Sequence, residues 1–377
     1  MKILIVGAGI GGLSLAAFLR DSGIDADIIE KSPIAESTGF AIGLWANGRR
    51  MLAKLGLADR LDREGTPLRH YFIRDGNGAL LRQYDLKDFY RDYGSGCTLI
   101  ERAKLRSWLL ELVGADRVRF GVQATAIGQD DSGVTVTFST GETKRYDAVI
   151  GCDGIHSSVR TLAFKDAFEA YDDWRVWYAW VGTSFGEHAA ITESVEAGQF
   201  AALFDDGTRA LAILMAPAKH GTWDDLGTRL GRLKGLFKDQ RNVERFLENL
   251  EPKDLVPTDM SRIRAKKIAT GRCALLGDAA HGFEPYAGMG ASMALEDAYV
   301  LAGELMRAGD RAVPQKLKRY EQIRTKRVRQ AQRLTIKMRL WASVSSPFVR
   351  KLINFFIPYI PQSIFVNGYK KLLREEI

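Results

Sequence analysis

Lys2-Ile3-Leu4-Ile5-Val6-Gly7-Ala8-Gly9-Ile10-Gly11-Gly12 opens the chain, and its reading decides the fold. The apolar run Ile3 to Val6 is a strand, and G-x-G-x-x-G follows it at the start of a helix. Gly7 permits a tight turn, Gly9 lets backbone approach a pyrophosphate, and Gly12 lets helix and strand pack closely. Gly11 sits among the exposed N–H groups at the helix entrance, where the dipole favours an anion. Glu30 closes the second strand, with Lys31 beyond it. A carboxylate there accepts from ribose hydroxyls and repels a 2′-phosphate. The duller alternative is glycines for packing and a surface Glu. The motif by itself fits NAD or FAD.

Working outward, 377 residues imply two lobes. Hydrophobic residues at 46% and charged residues at 27% are those of a soluble protein with a core. The first apolar run is too short for a signal peptide, and no stretch reaches the length of a membrane span. Cys97, Cys152 and Cys273 lie far apart, without a C-x-x-C pair. That predicts reduced thiols in a cytoplasmic protein, with neither disulfide nor metal chemistry. The net charge of +8 is local. Lys316 to Arg339 holds ten Lys or Arg and one acid, Glu321, a charge of +9 that leaves −1 elsewhere.

The spacing predicts a helix over 49–64 and a hairpin over 69–84 turning at Asp75-Gly76-Asn77-Gly78. A helix over 103–113 follows, then strands at 117–127, 133–139 and 143–150. Residues 170–215 read as sheet and 223–250 as helix. A strand at Cys273–Leu276 leads to a helix near 291–307, and Pro314 opens a long helix ended by Ser345-Ser346-Pro347. The last thirty residues are apolar and Pro-broken.

A second cluster separates the cofactors. Gly277-Asp278-Ala279-Ala280-His281, Pro285, Gly288-Met289-Gly290 and Glu296-Asp297 read as a strand end presenting a carboxylate before a glycine-rich helix entrance. Asp278 suits a ribityl hydroxyl, and the N–H groups of Gly290 and Ala291 suit negative charge on a reduced flavin ring. With these residues the chain resembles the single-component FAD-dependent aromatic hydroxylases, the para-hydroxybenzoate, salicylate, urate and tetracycline hydroxylases. Gly7 to Gly12, Cys152-Asp153-Gly154-Ile155-His156-Ser157-Ser158-Val159-Arg160, and Gly277 to Asp297 match its motifs in order over roughly 1–330.

The resemblance extends to Phe40–Gly48, including Gly43 beside the flavin, and to Arg102 and Ala124 as FAD contacts. Asp153 has a turn-capping alternative, Arg102 a surface ion pair, and His156 and His281 read as structural. Glu36-Ser37-Thr38 departs from members that carry an Arg there.

The resemblance implies an α/β fold: a Rossmann-type FAD-binding lobe, an inserted β-sheet substrate lobe and a C-terminal helical tail. The FAD-binding domain would comprise 1–70, 98–168 and 266–330, the substrate domain 71–97 and 169–265, and the helical segment 331–377. It implies an NAD(P)H monooxygenase: transient NAD(P)H reduces FAD, O2 reacts, and a flavin hydroperoxide hydroxylates an aromatic or polycyclic small molecule. A flavin-dependent reductase, a halogenase and a non-catalytic flavin-binding protein stay open. The halogenase predicts W-x-W-x-I-P, whereas Trp174, Trp177 and Trp180 are spaced by three with no Ile-Pro following.

No catalytic residue is identifiable from the motifs. Pocket candidates are Phe283 and Tyr286, flanking Pro285, with Trp177 or Tyr178 on opposite faces of a strand. Arg175 either neutralises an anionic substrate or is solvated. The basic helix 316–339 has three readings: a polar face on a helix packed against the FAD lobe, a weak contact with an anionic membrane surface, or, least favoured, nucleic-acid binding. The apolar tail is expected to cover the flavin or substrate lobe.

Overall fold

The opening strand Lys2–Val6 is flanked by Ala148–Gly151 and Asp25–Glu30, both parallel to it, because apolar residues on both faces suit a covered parallel sheet. The computed structural model describes residues 1–33, 40–182, 187–307 and 312–374. Among these, the first lobe is a six-stranded sheet ordered Ala269–Thr270, Cys273–Leu275, Ala148–Gly151, Lys2–Val6, Asp25–Glu30, Val118–Phe120. Helices Ile10–Leu19, Arg102–Val113 and Gly290–Met306 pack together beside it. A three-stranded sheet, Ala124–Gln129, Val134–Phe138 and Thr143–Tyr146, adds Val134, Val136 and Phe138 to the same core.

The second lobe is a seven-stranded sheet ordered Val256–Ala265, Ala167–Gly182, Arg209–Pro217, Gln199–Asp205, Ala190–Glu196, His70–Arg74, Leu80–Asp85. One face, with Trp177, Ala179 and Leu214, is covered by helices Leu226–Leu236 and Arg241–Leu247. The other face, with Val176, Phe200, Leu211 and Ile213, looks toward the first lobe. The α/β architecture with a helical tail is the one the motifs implied.

Several boundaries differ from the sequence reading. The helix expected over 49–64 is two, Ala46–Lys54 and Ala58–Glu64, because the Leu57 N–H turns back to the Leu52 carbonyl. The strand expected over 117–127 divides at Gly121, whose φ of +73° sends Val118–Phe120 and Ala124–Gln129 into different sheets. The segment 143–150 divides likewise. Residues 223–250 form two helices. The boundary placed at 330/331 falls inside the continuous helix Val313–Ala342, so the tail begins after that helix.

Helices Pro347–Phe356 and Gln362–Arg374 complete the chain. Tyr369 and Phe365 insert between the lobes, with Tyr369 4.4 Å from Trp45 and Phe365 stacked 4.6 Å from Tyr84. The tail thus covers the junction of both lobes.

The long basic helix is more than a solvated face. Arg324 and Arg327 are buried and bind Glu296 and Asp297 of helix Gly290–Met306. Burial opposes ionisation of Asp297, but His281 and Arg324 beside it outweigh that and hold its carboxyl at about 2. Lys326, Arg329 and Arg333 stay on the outer side of the helix.

Candidate active site

The carboxyl ends of the parallel strands converge, as open α/β sheets require of a ligand crevice. Val6 runs into Gly7, Asp25–Glu30 ends on Glu30, Gly151 leads to Asp153, and Leu275 leads to Asp278. Gly7 has φ +106°, and a Cβ there would meet the Cys152 carbonyl oxygen at 2.5 Å. A Cβ on Gly12 would lie 1.9 Å from the Gly7 oxygen, so these two glycines serve packing. Gly9 differs: nothing lies within 4 Å of a Cβ placed there. That open space at a helix N-terminus is the cradle a pyrophosphate needs.

The Glu30 carboxylate accepts from the Ala8 N–H at 2.8 Å and the Ser32 N–H at 2.9 Å, tying the second strand to the glycine turn. Lys31 and Arg102 are exposed, and Arg102 is the first residue of its helix. Four residues on, buried Arg106 donates from Nε to the Ala8 carbonyl at 2.8 Å. Sequence reading missed Arg106, although its i, i+4 spacing from Arg102 on one helix was a usable signal. Ala124 is buried at the start of its strand. Two cations, an open glycine turn and a strand-end carboxylate fit the diphosphate and ribose of FAD.

Asp153 accepts from the hydroxyls of Ser157 and Ser158 and from the N–H groups of Ser158 and Val159. Its carboxylate therefore caps the helix Ser158–Ala163. Arg160 donates to the carbonyls of Ile155 and Ala279, which locks this motif to the Asp278 loop. His281 is buried against Asp297 at 2.6 Å, and His156 lies 2.9 Å from Glu169.

Between the lobes lies a cavity of about 390 Å³, within the range of small-molecule sites. Gly43, Asp278, Pro285, Gly288, Gly290 and Ala291 line one side of it. Asp278 is exposed to this space, 3.9 Å from where a Gly290 Cβ would stand. Tyr178, Phe283 and Tyr286 line it as well. Burial, with Asp278 nearby, pushes the Tyr178 phenol up to about 12. Trp45 Nε1 and the Tyr286 hydroxyl are buried without hydrogen-bond partners among the described residues.

Two expectations are corrected. Trp177 faces away from the cavity, into the helix-covered side, where its Nε1 donates to Asp224 at 3.2 Å. Alternation along the strand sends Tyr178 to the cavity instead. Arg175 is neither solvated nor a cavity residue: it is buried and donates to Asp259 and the Thr222 carbonyl, each at 2.7 Å. Glu36-Ser37-Thr38 lies outside the described residues. Sequence reading also missed Tyr71, Glu193, Met338 and Tyr369 in the cavity wall. They come from strands and helices remote in sequence, and no motif marks them.

Residues 1–335 match the family model described as FAD binding domain. The chain is 33% identical over 349 residues to an FAD-dependent urate hydroxylase of Klebsiella pneumoniae, covering 87% of each. It is 32% identical over 353 residues to a 3-amino-4-hydroxybenzoate 2-monooxygenase of Streptomyces cremeus, covering 88% of this chain and 85% of that protein. Among solved structures, Klebsiella pneumoniae HpxO complexed with FAD and uric acid superimposes with a TM-score of 0.89 at 28% identity, covering 99% of this chain and 96% of that one. The resemblance drawn from the three motifs is borne out.

Proposed function

Because the chain belongs to the FAD binding domain family, we infer that it is an oxidoreductase: an FAD-dependent monooxygenase using NAD(P)H and O2 to hydroxylate an aromatic or polycyclic small molecule. The observation that carries this is the cavity lined together by Asp278, Gly290 and the apolar sheet face, an arrangement suited to a flavin and a substrate side by side. When bound, FAD supplies hydride acceptance from NAD(P)H and activation of O2.

The chain's own residues do the rest. Gly9, Arg102 and Arg106 would hold the diphosphate end, Glu30 would serve the adenosine ribose, and Asp278 would accept from the ribityl chain. The N–H groups of Gly290 and Ala291, at the start of a 17-residue helix, favour negative charge developing on the ring. Ile213, Phe204, Leu211 and Met338, which line the cavity, would keep water from the reacting atoms, and Tyr178, Phe283 and Tyr286 would orient the substrate. We retain the division into an FAD-binding domain and a substrate domain, with NAD(P)H docking transiently. Unpaired Cys97, Cys152 and Cys273 fit a reducing cytoplasm.

The test is NAD(P)H oxidation and O2 uptake by the purified flavoprotein across phenols, purines, quinolones and tetracyclines under isotopic O2. Stimulation of both rates with one labelled oxygen in the product supports hydroxylation. NAD(P)H oxidation that is independent of O2 refutes it and favours a reductase.

A weak contact with an anionic membrane surface also belongs to this reading. No described helix is long and apolar enough to cross a membrane. Helix Pro347–Phe356 nevertheless turns Phe348, Leu352, Phe355 and Phe356 outward, followed by Tyr359, and Phe348 is 77% exposed. Residues 322–374 hold twelve Lys or Arg and no acid, the charge that complements acidic lipid. Co-sedimentation with phosphatidylserine vesicles, lost in a Phe348→Glu/Phe355→Glu variant, is the expected result. Equal sedimentation of both proteins, or none of the wild type, refutes it.

A further inference from the structure

Glu193 is a carboxyl in an otherwise apolar wall. It lies on strand Ala190–Glu196, between Ala202 and Ile73 on the neighbouring strands, and lines the same cavity as Asp278 and Gly290. It is 6% exposed. A carboxylate in such a place normally carries a cationic partner, yet no Lys or Arg lines this cavity among the described residues. Its hydrogen-bond partner is the Tyr71 hydroxyl, on the adjacent strand. The other titratable groups turned toward it are Tyr369, from the last helix, and Cys97 beyond that ring. Tyr178, Asp278, Asp259 and His156 line the cavity with it. Among them only His156 can carry positive charge, and its ring pairs with Glu169 at 2.9 Å.

One donor cannot satisfy two carboxylate oxygens. Burial pushes the Glu193 carboxyl up to about 7, and the Tyr71 hydrogen bond only partly offsets that. A group poised there both accepts and releases a proton under ordinary conditions.

We propose that Glu193 accepts the hydrogen bond, and then the proton, of an acidic O–H or N–H on a neutral, electron-rich ring, so that the site selects uncharged phenols and N–H heteroaromatics over aromatic carboxylates and other anions. The proposal rests on the monooxygenase reading above. In the step one substrate O–H or N–H bond breaks and one carboxyl O–H bond forms. The electron pair left on the heteroatom enriches the ring that is to be oxidised, and no electrons leave the substrate. Selection follows from charge: an anion entering a cavity lined by no Lys or Arg among the described residues, beside a carboxylate, loses its hydration and meets repulsion.

Binding is read without turnover, from the flavin absorbance change when the oxidised holoenzyme is titrated at pH 8. The probes are 2-heptyl-4-quinolone, its N-methyl analogue, 2-naphthol, uric acid and 4-hydroxybenzoate. The quinolone and naphthol are expected to saturate, and the N-methyl analogue to bind about tenfold more weakly. Glu193→Leu should erase that N-methyl difference. The better tolerated Glu193→Gln should keep the fold, lose the kcat/KM inflection near neutral pH and fall by about 10²–10⁴ in kcat/KM. Saturation by uric acid or 4-hydroxybenzoate ahead of the neutral compounds overturns the proposal. So does failure of both neutral donors to bind, or survival of the inflection in Glu193→Gln. Hydroxylation of the anions would leave the monooxygenase reading standing while this inference falls. Glu193-dependent binding without substrate-stimulated O2 uptake would do the reverse.

Discussion

Replacing Arg327 with Met tests whether the basic helix is a structural clamp. Arg327 is 5% exposed. Its Nε and Nη2 donate to the Glu296 carboxylate at 2.7 and 2.5 Å, and Nη2 also donates to the Leu372 carbonyl at 2.6 Å. Met keeps the length and apolar stem but removes every donor. Glu296 then retains Arg324 at 2.9 Å and Asn47 at 2.9 Å. Breaking a buried pair from one side costs about 3–5 kcal/mol, and the two surviving partners place the loss near about 3 kcal/mol. Because the last helix is held through Leu372, trypsin should also cut the tail faster, at exposed Lys351 and Lys370. Urea unfolding followed by tryptophan fluorescence measures the first effect, and timed proteolysis the second. Glu296→Gln in the same chain should recover part of the loss, since the uncompensated charge is then gone. A loss under about 1 kcal/mol, or strictly additive single and double variants, would refute the clamp.

Three more outcomes are expected. Gly9→Ala should fold with nearly unchanged thermal stability yet bind FAD about tenfold more weakly, because its Cβ enters space the protein leaves open; equal FAD affinity by fluorescence titration contradicts the cradle. Trp177→Phe should lower unfolding stability by about 1 kcal/mol through the lost Asp224 hydrogen bond and leave ligand affinity intact, whereas Tyr178→Ala should weaken ligand binding; the opposite pattern would return Trp177 to the cavity. The third concerns pH. The Glu193 carboxyl is raised to about 7 from an ordinary 4.5, so the folded state holds this proton more tightly than the unfolded chain. Stability is therefore lost as pH rises between those values, by up to about 3 kcal/mol, and stays lost above them. Glu193→Gln removes the penalty, and its stability relative to wild type should be greater at pH 8 than at pH 5. Equal differences at both values in urea titrations would sink the assignment.

Local chemistry decided much by itself. Strand, glycine turn, helix and terminal Glu30 are contiguous, and each glycine acts within a few residues of its neighbours, so periodicity and spacing expose the nucleotide-binding unit. The Asp278 to Ala291 stretch is equally local, a strand end followed by a helix start. Tertiary structure decided the rest. Which face of strand Ala167–Gly182 meets the cavity depends on where helices Leu226–Leu236 and Arg241–Leu247 pack, and alternation alone permits both faces. Arg324 and Arg327 look like solvated charge until Glu296 and Asp297 are brought beneath them from a different helix. Glu193 is one acid among many in the sequence. Its distinctive chemistry arises only when Tyr71 and Tyr369, distant along the chain, pack beside it and the fold buries it in a wall without Lys or Arg among the described residues.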